Sequence, residues 1–287
     1  MRPEIVPILS AMGWAVDSIL VRKGARTSSV LSAAFLSYVV TAVLLWSYVA
    51  INFPLSIVRS RAAYFFMASG TLQPLLARIF LYIGIDRLGV ARAMPLRGTG
   101  PLFSIAIAVV FLQERPVIPV YMGGLLVVAG GWLVLYRKST ATADWRFVDA
   151  LFPLAAALLA GISQNFRRAG LLILPNPFVA GAVTTGTSLT IFVAYLWIKR
   201  QFSVVIPSRE SLPYFGPTAF VSAVSQLLVF TSLNLGEVSV MIPLLNTTPL
   251  FSLLFSLIFL RDLEKITLPI VLGALSLLGG VVFITGR

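Results

Sequence analysis

The chain has 287 residues, of which 58% are hydrophobic and 11% charged, and its mean hydropathy is +0.95. Ordinary globular proteins are roughly 45–50% apolar and about 25% charged, so a soluble domain is excluded and a polytopic membrane protein is expected. Lys and Arg outnumber Asp and Glu by 22 to 10, a formal charge of +12. These cations are scattered between apolar blocks, with no run longer than two. That distribution suits loops against anionic headgroups and excludes a nucleic-acid partner. Cysteine and histidine are absent, which removes disulfides, thiol nucleophiles, Cys/His zinc sites and haem ligation by either residue. No cofactor or metal is expected, and no G-x-x-x-x-G-K-[ST] loop suggests a nucleotide-driven pump.

A membrane span needs about 20 apolar residues. In chain order the apolar blocks predict spans near 5–21, 30–51, 62–85, 88–112, 117–136, 147–166, 178–198, 212–235, 236–260 and 266–285. The expected fold is therefore all-α and integral to the membrane, with ten transmembrane helices. The first block is no cleavable signal, because Asp17 lies inside it and Val-Arg-Lys-Gly ends it in place of a small-x-small site. Connections are short, so no soluble domain is expected between spans.

Shifting the chain by 148 residues reveals an internal repeat. The block from Pro95 to Ser104 falls on that from Pro243 to Ser252 with seven of ten residues identical, both prolines included. Glu114 meets Asp262, and Gly13 and Asp17 meet Gly161 and Asn165. With one residue inserted, Gly124 and Gly130-Gly131 meet Gly273 and Gly279-Gly280. Residues 1–138 and 139–287 thus form two five-helix repeats. Five is odd, so the second repeat enters the membrane from the opposite side, the inverted arrangement of many secondary transporters. Cations number 12 in the odd connections and seven in the termini and even connections, Arg167 and Arg168 among the seven. By the positive-inside rule the odd connections are cytoplasmic and both termini outside.

Proline breaks the fourth and ninth spans at their centres. Pro101 and Pro95 cannot donate to the carbonyls of Arg97 and Ala91, nor Pro249 and Pro243 to those of Leu245 and Ser239. Irregular backbone at this depth must face protein or a wet cavity. The polar residues there, Arg97, Thr99, Asn246, Thr247 and Thr248, are candidates to hold a solute. Arg97 lies about 13 Å into its span at 1.5 Å per residue, where a cation costs ~2.5–3.5 kcal/mol and is functional or paired. Arg78 and Tyr82 share a helix face and offer donors to a carboxylate or phosphate. Asp17 is the carboxylate well inside a span, and it either binds a coupling proton or neutralises Arg97 or Arg78. Asn165 keeps its shape without its charge. Trp14, one turn before Asp17, either stacks on substrate or packs. Gln73, Gln226 and the run Thr184-Thr185-Gly186-Thr187-Ser188 read as helix-contact residues, and Glu114 and Asp262 as turn and capping residues.

Gly13-Trp14-Ala15-Val16-Asp17-Ser18 followed by basic residues, and above all the duplicated Pro-x-x-x-x-x-Pro-Leu-Phe-Ser block with its acidic junction and glycines, resemble the EamA branch of the drug/metabolite transporter superfamily. The resemblance spans nearly the whole chain as two EamA-like units. It implies a ten-helix carrier of small metabolites, often an exporter of amino acids or related compounds, working by alternating access, with both termini cytoplasmic, the reverse of the orientation the cation count gives. In small multidrug pumps of that superfamily a first-helix acid binds protons and cationic drugs; here Arg78 and Arg97 would repel cations. The expected function is secondary transport of an amino acid or organic anion, with protons as the candidate coupling ion and no enzymatic activity. The expected location is a bacterial or archaeal cytoplasmic membrane. A drug or lipid-linked exporter and a non-transporting receptor or assembly subunit are the alternatives, and the sequence leaves monomer and homodimer open.

Overall fold

The computed structural model describes residues 3–88, 90–135, 146–259 and 268–286. Its longer helices are α1 (Ile5–Gly24), α2 (Val30–Asn52), α3 (Ala62–Thr71), α4 (Ala77–Leu88), α5 (Val90–Arg97), α6 (Gly100–Phe111) and α7 (Ile118–Leu135) in the first half. The second half holds α8 (Phe147–Ile173), α9 (Pro177–Lys199), α10 (Leu212–Leu235), α11 (Val238–Leu245), α12 (Thr248–Phe259) and α13 (Leu268–Thr285). Every regular element among the described residues is helical. Seven segments are long and apolar enough to cross a membrane: α1, α2, α8, α9, α10, α13 and the run Val238–Phe255 through α11 and α12. The remaining predicted spans are occupied by α3 with α4, α5 with α6, and α7. Large apolar side chains such as Ile51, Phe111, Ile118 and Leu268 lie exposed, while alanine, serine and glycine fill much of the interior. This is the distribution of a helix bundle in lipid, where small residues let backbones approach. Asp262 and the basic residues Arg137, Lys138, Arg261 and Lys265 fall outside the described residues.

Two spans differ from the sequence reading. The third is interrupted by a π turn, Leu72–Leu76, between α3 and α4. Pro74 within that turn has no N–H for the carbonyl of Gly70, and the Ser188 hydroxyl of α9 donates to that oxygen at 3.1 Å. The sixth span continues to Ile173, beyond the predicted end at 166. Arg167 and Arg168, counted among connection cations, therefore lie inside α8. The predicted cation asymmetry, corrected for this, is sharper.

The duplication is visible in the helix boundaries. Each bound of α11 and α12 equals the corresponding bound of α5 and α6 shifted by 148 residues. Packing repeats as well: α1 lies on α10 as α8 lies on α3 and α4, and α2 lies on α10 as α9 lies on α3. α7 packs on α13, its own counterpart. Gly123 faces Gly280 and Gly130 faces Gly273, so the two helices run antiparallel. Counterparts pointing in opposite directions are what an inverted repeat requires.

This seam is tight enough to test. A Cβ on Gly130 would lie 2.6 Å from the Gly273 carbonyl oxygen and 2.7 Å from the Leu277 nitrogen. Backbone cannot move aside cheaply, so Gly130→Val is expected to destabilise the protein by about 1–3 kcal/mol. Gly131→Val, where a Cβ meets nothing within 4 Å, should leave the melting temperature in detergent unchanged.

Candidate functional site

A cavity of about 600 Å³ lies between the halves, walled by α1, α2, α4, α5, α8, α9, α10 and the π turn. Helical spacing brings its lining together: Trp14, Asp17, Ser18 and Val21 share one face of α1, and Val30, Ala33, Ala34, Ser37, Tyr38 and Thr41 one face of α2. Its lining reaches outward to Val21 and Val30 at the α1–α2 connection, which marks that end as its mouth; there Ser208, just ahead of α10, bonds to Ser28 and Thr27. From there it runs inward along α10, past Ser222 and Gln226, to Arg167 and Thr184.

Three charged side chains line it among the described residues: Asp17, Arg97 and Arg167. Asp17 accepts a hydrogen bond from the Ser222 hydroxyl. That contact is possible because α1 and α10 meet closely at Gly13, where any Cβ would collide with Ser225 Oγ. Arg97 ends α5, and its guanidinium lies over Gly100, where a Cβ would come within 3.0 Å of Nη1. Arg167 donates through Nε to Ser69 Oγ at 2.9 Å and stands 5.0 Å from the centroid of the Phe230 ring. Around these charges are the amides of Gln73 and Gln226 and the hydroxyls of Ser37, Thr184, Thr185 and Ser188. Among the described residues, no group of three or more His, Cys, Asp or Glu is placed to hold a metal.

Of the residues singled out in the sequence, Trp14, Asp17 and Arg97 are brought to this one cavity. The others are not. Thr99, Thr247 and Thr248 donate to the carbonyls of Leu96, Leu244 and Leu245, three residues back, and the amide of Asn246 donates to Ile242. The polar residues at the breaks thus satisfy the backbone of their own interrupted helices. Thr248 takes the Leu245 carbonyl that Pro249 cannot. Asn165 is buried against α6, donating to the carbonyls of Ser104 and Gly161. Arg78 and Tyr82 belong to α4, and their side chains lie outside the described ones.

Arg167 is absent from the sequence-derived site because the sixth span is expected to end at 166, seven residues short of Ile173. The apolar stretch Leu171-Leu172-Ile173-Leu174 after it was the signal that the helix continues. Thr184 and Ser188 do make the helix contacts expected of them, to the carbonyls of Phe66 and Gly70, yet they also face the cavity.

Beyond Arg167 and Thr184, toward the opposite end of the bundle, no described residue lines the cavity, which marks that end as the closed one. Gln113, with φ of 55°, turns the chain after α6, and the buried carboxylate of Glu114 then accepts the Val238 and Ser239 N–H groups at 2.8 and 2.9 Å. It caps a helix of the other half, where an anion is favoured by the helix dipole. Beside it, Arg168 donates to the carbonyls of Leu233 and Asn234 at the end of α10 at 2.7 and 3.2 Å.

The model of the EamA-like transporter family matches residues 1–136 and 147–286, one match in each half. An uncharacterized protein of Methanocaldococcus jannaschii is 23% identical over 95 residues, 33% of this chain and 68% of that one. A solved crystal structure superposes with a TM-score of 0.80 at 13% identity, covering 99% of this chain and 96% of the other. At that identity the likeness is one of fold.

Proposed function

The chain belongs to the EamA-like transporter family, and from that premise we propose that it is a secondary active exporter of a small polar metabolite bearing an anionic group. An amino acid or organic anion fits best. Ten crossings in two inverted halves alternate access to the cavity between them. The observation that carries this reading is the cavity itself: about 600 Å³, walled by both halves, with two guanidiniums and one carboxylate among the described residues. Small-molecule sites have this size, roughly 300–1,000 Å³, and a few converging polar groups. Arg97 holds the anionic group, Trp14 packs against the solute, and Asp17 takes the coupling proton. The mouth is on the side of the odd connections, which the cation asymmetry places in the cytoplasm.

The test is an untargeted comparison of solutes in cells with and without the protein, followed by flux of the redistributed solute in proteoliposomes. Movement of an anionic or zwitterionic metabolite is expected. Failure of every solute to move, with specific capture of a protein partner, would instead favour a receptor or assembly subunit. Orientation has its own check. The chain has no cysteine, so Ser203→Cys in the connection before α10 supplies the sole thiol. It should resist an impermeant maleimide in intact cells and react in inverted vesicles.

A further inference from the structure

Arg167 is 5% exposed and, among the described residues, has no acidic partner. Of its five N–H donors, Nε is taken by Ser69 Oγ at 2.9 Å and Nη1 meets Gln164 Oε1 at 3.5 Å. Ser69 is itself fixed by the Ser163 hydroxyl at 2.8 Å, and Ser163 lies 3.3 Å from Gln73 Oε1. The guanidinium is thereby held in one orientation on the cavity wall, with donors left over. A buried charge without a counter-ion costs several kcal/mol. The fold does not demand it: the counterpart of Arg167 in the first half is Ile19. A cation kept here at that cost, aimed at a cavity, has an anion to bind.

Depth gives the arrangement. Asp17 is seven residues from the mouth-side end of α1 and Arg97 seven from that of α5. At 1.5 Å per residue both lie about 10 Å in. Arg167 is six residues from the closed-side end of α8, so it stands about 9 Å from that end and deeper than the other two. We propose, on the basis of the carrier reading above, that the solute is an acidic α-amino acid, with its side-chain carboxylate on Arg167. Its ammonium and α-carboxylate, which are adjacent in any amino acid, meet Asp17 and Arg97 at their common level. Among the described residues the cavity's two guanidiniums and one carboxylate then face two carboxylates and one ammonium, and each of these charges is paired. A neutral amino acid leaves a guanidinium bare, and a dicarboxylate lacking the amine leaves Asp17 unpaired beside two anions.

The experiment measures binding to the purified full-length protein by calorimetry, using aspartate against asparagine, glutamate against glutamine, and succinate. At least one acidic amino acid should bind ten times or more tighter than its amide and than succinate. Arg167→Gln should bring that acid to the affinity of the amide while changing the amide's own affinity less than about twofold. Arg167→Lys should recover part of the difference. Equal binding of acid and amide, or a preference that survives Arg167→Gln, overturns the proposal. So does a variant that loses amide binding and melting temperature together, because Arg167 is then a structural tie to Ser69. Flux of a non-acidic solute with no acid bound also overturns it while the carrier reading stands, whereas absence of any flux overturns the carrier reading itself.

Discussion

Arg97→Ala is expected to weaken solute binding at least tenfold and to suppress flux in proteoliposomes, without lowering the melting temperature. Arg97 makes no hydrogen bond or ion pair with the described residues, and Asp17, on the same cavity, is bonded to Ser222. Removing an unpaired intramembrane cation relieves an insertion cost of ~2.5–3.5 kcal/mol, so the fold loses nothing. What is lost is the charge-assisted contact with solute. Hydrogen bonds to charged groups contribute about 1.5–3 kcal/mol, or roughly 10- to 150-fold in affinity. Arg97→Lys keeps the charge but not the planar fork, and should retain part of the binding. A fall in stability with unchanged solute affinity in both variants would make Arg97 a structural residue.

The second large effect is expected at Glu114. Its carboxylate satisfies two buried N–H groups of α11. Glu114→Ala leaves both without acceptors, at about 1–3 kcal/mol each, and releases the tie between the halves at the closed end. Glu114→Gln keeps one acceptor oxygen and should fall between. Ser232, buried near that end of α10, is a suitable reporter. In an otherwise unchanged chain, Ser232→Cys should be protected from a maleimide applied from the closed side, and Glu114→Ala should expose it. Equal protection in both would show that Glu114 caps α11 without sealing the cavity.

The helix positions, the duplication and the family were legible because each rests on a pattern spread over many residues. Apolar blocks, a shift of 148 with paired prolines, and glycines at matched places survive any single misreading. The site was legible only in part. Asp17 and Arg97 stood out as charges deep within apolar blocks. Arg167 did not, since two adjacent arginines near the end of a block resemble a connection until the apolar residues beyond them are counted. At the breaks the limit is of another kind. Thr99, Asn246, Thr247 and Thr248 are polar and central, but a hydroxyl or amide within reach of its own helix's free carbonyl bonds there first. Sequence position gives depth in the membrane, whereas facing depends on where neighbouring helices lie. Gln73 and Gln226 illustrate this: neither carries a charge, and nothing in the sequence turns both toward one space.

In the alternating-access carrier proposed above, the seam between α7 and α13 contributes equally to either side of the cycle. The bounds of α7 and α13 correspond at a shift of 150 residues, one more than the sequence pairing, so Gly123 corresponds to Gly273 and Gly130 to Gly280; exchanging the halves turns the contact of Gly123 with Gly280 into that of Gly273 with Gly130 and leaves the seam unaltered. An interaction with the same free energy in two conformers cannot bias their populations. The resting preference of the protein must therefore originate where the duplicated sequence has diverged. Asp17 against Asn165, Arg97 against Leu245 and Arg167 against Ile19 are such places, and all three charged members line the cavity. In that proposed carrier, the residues assigned to the solute are thus also those able to set which way the empty protein faces.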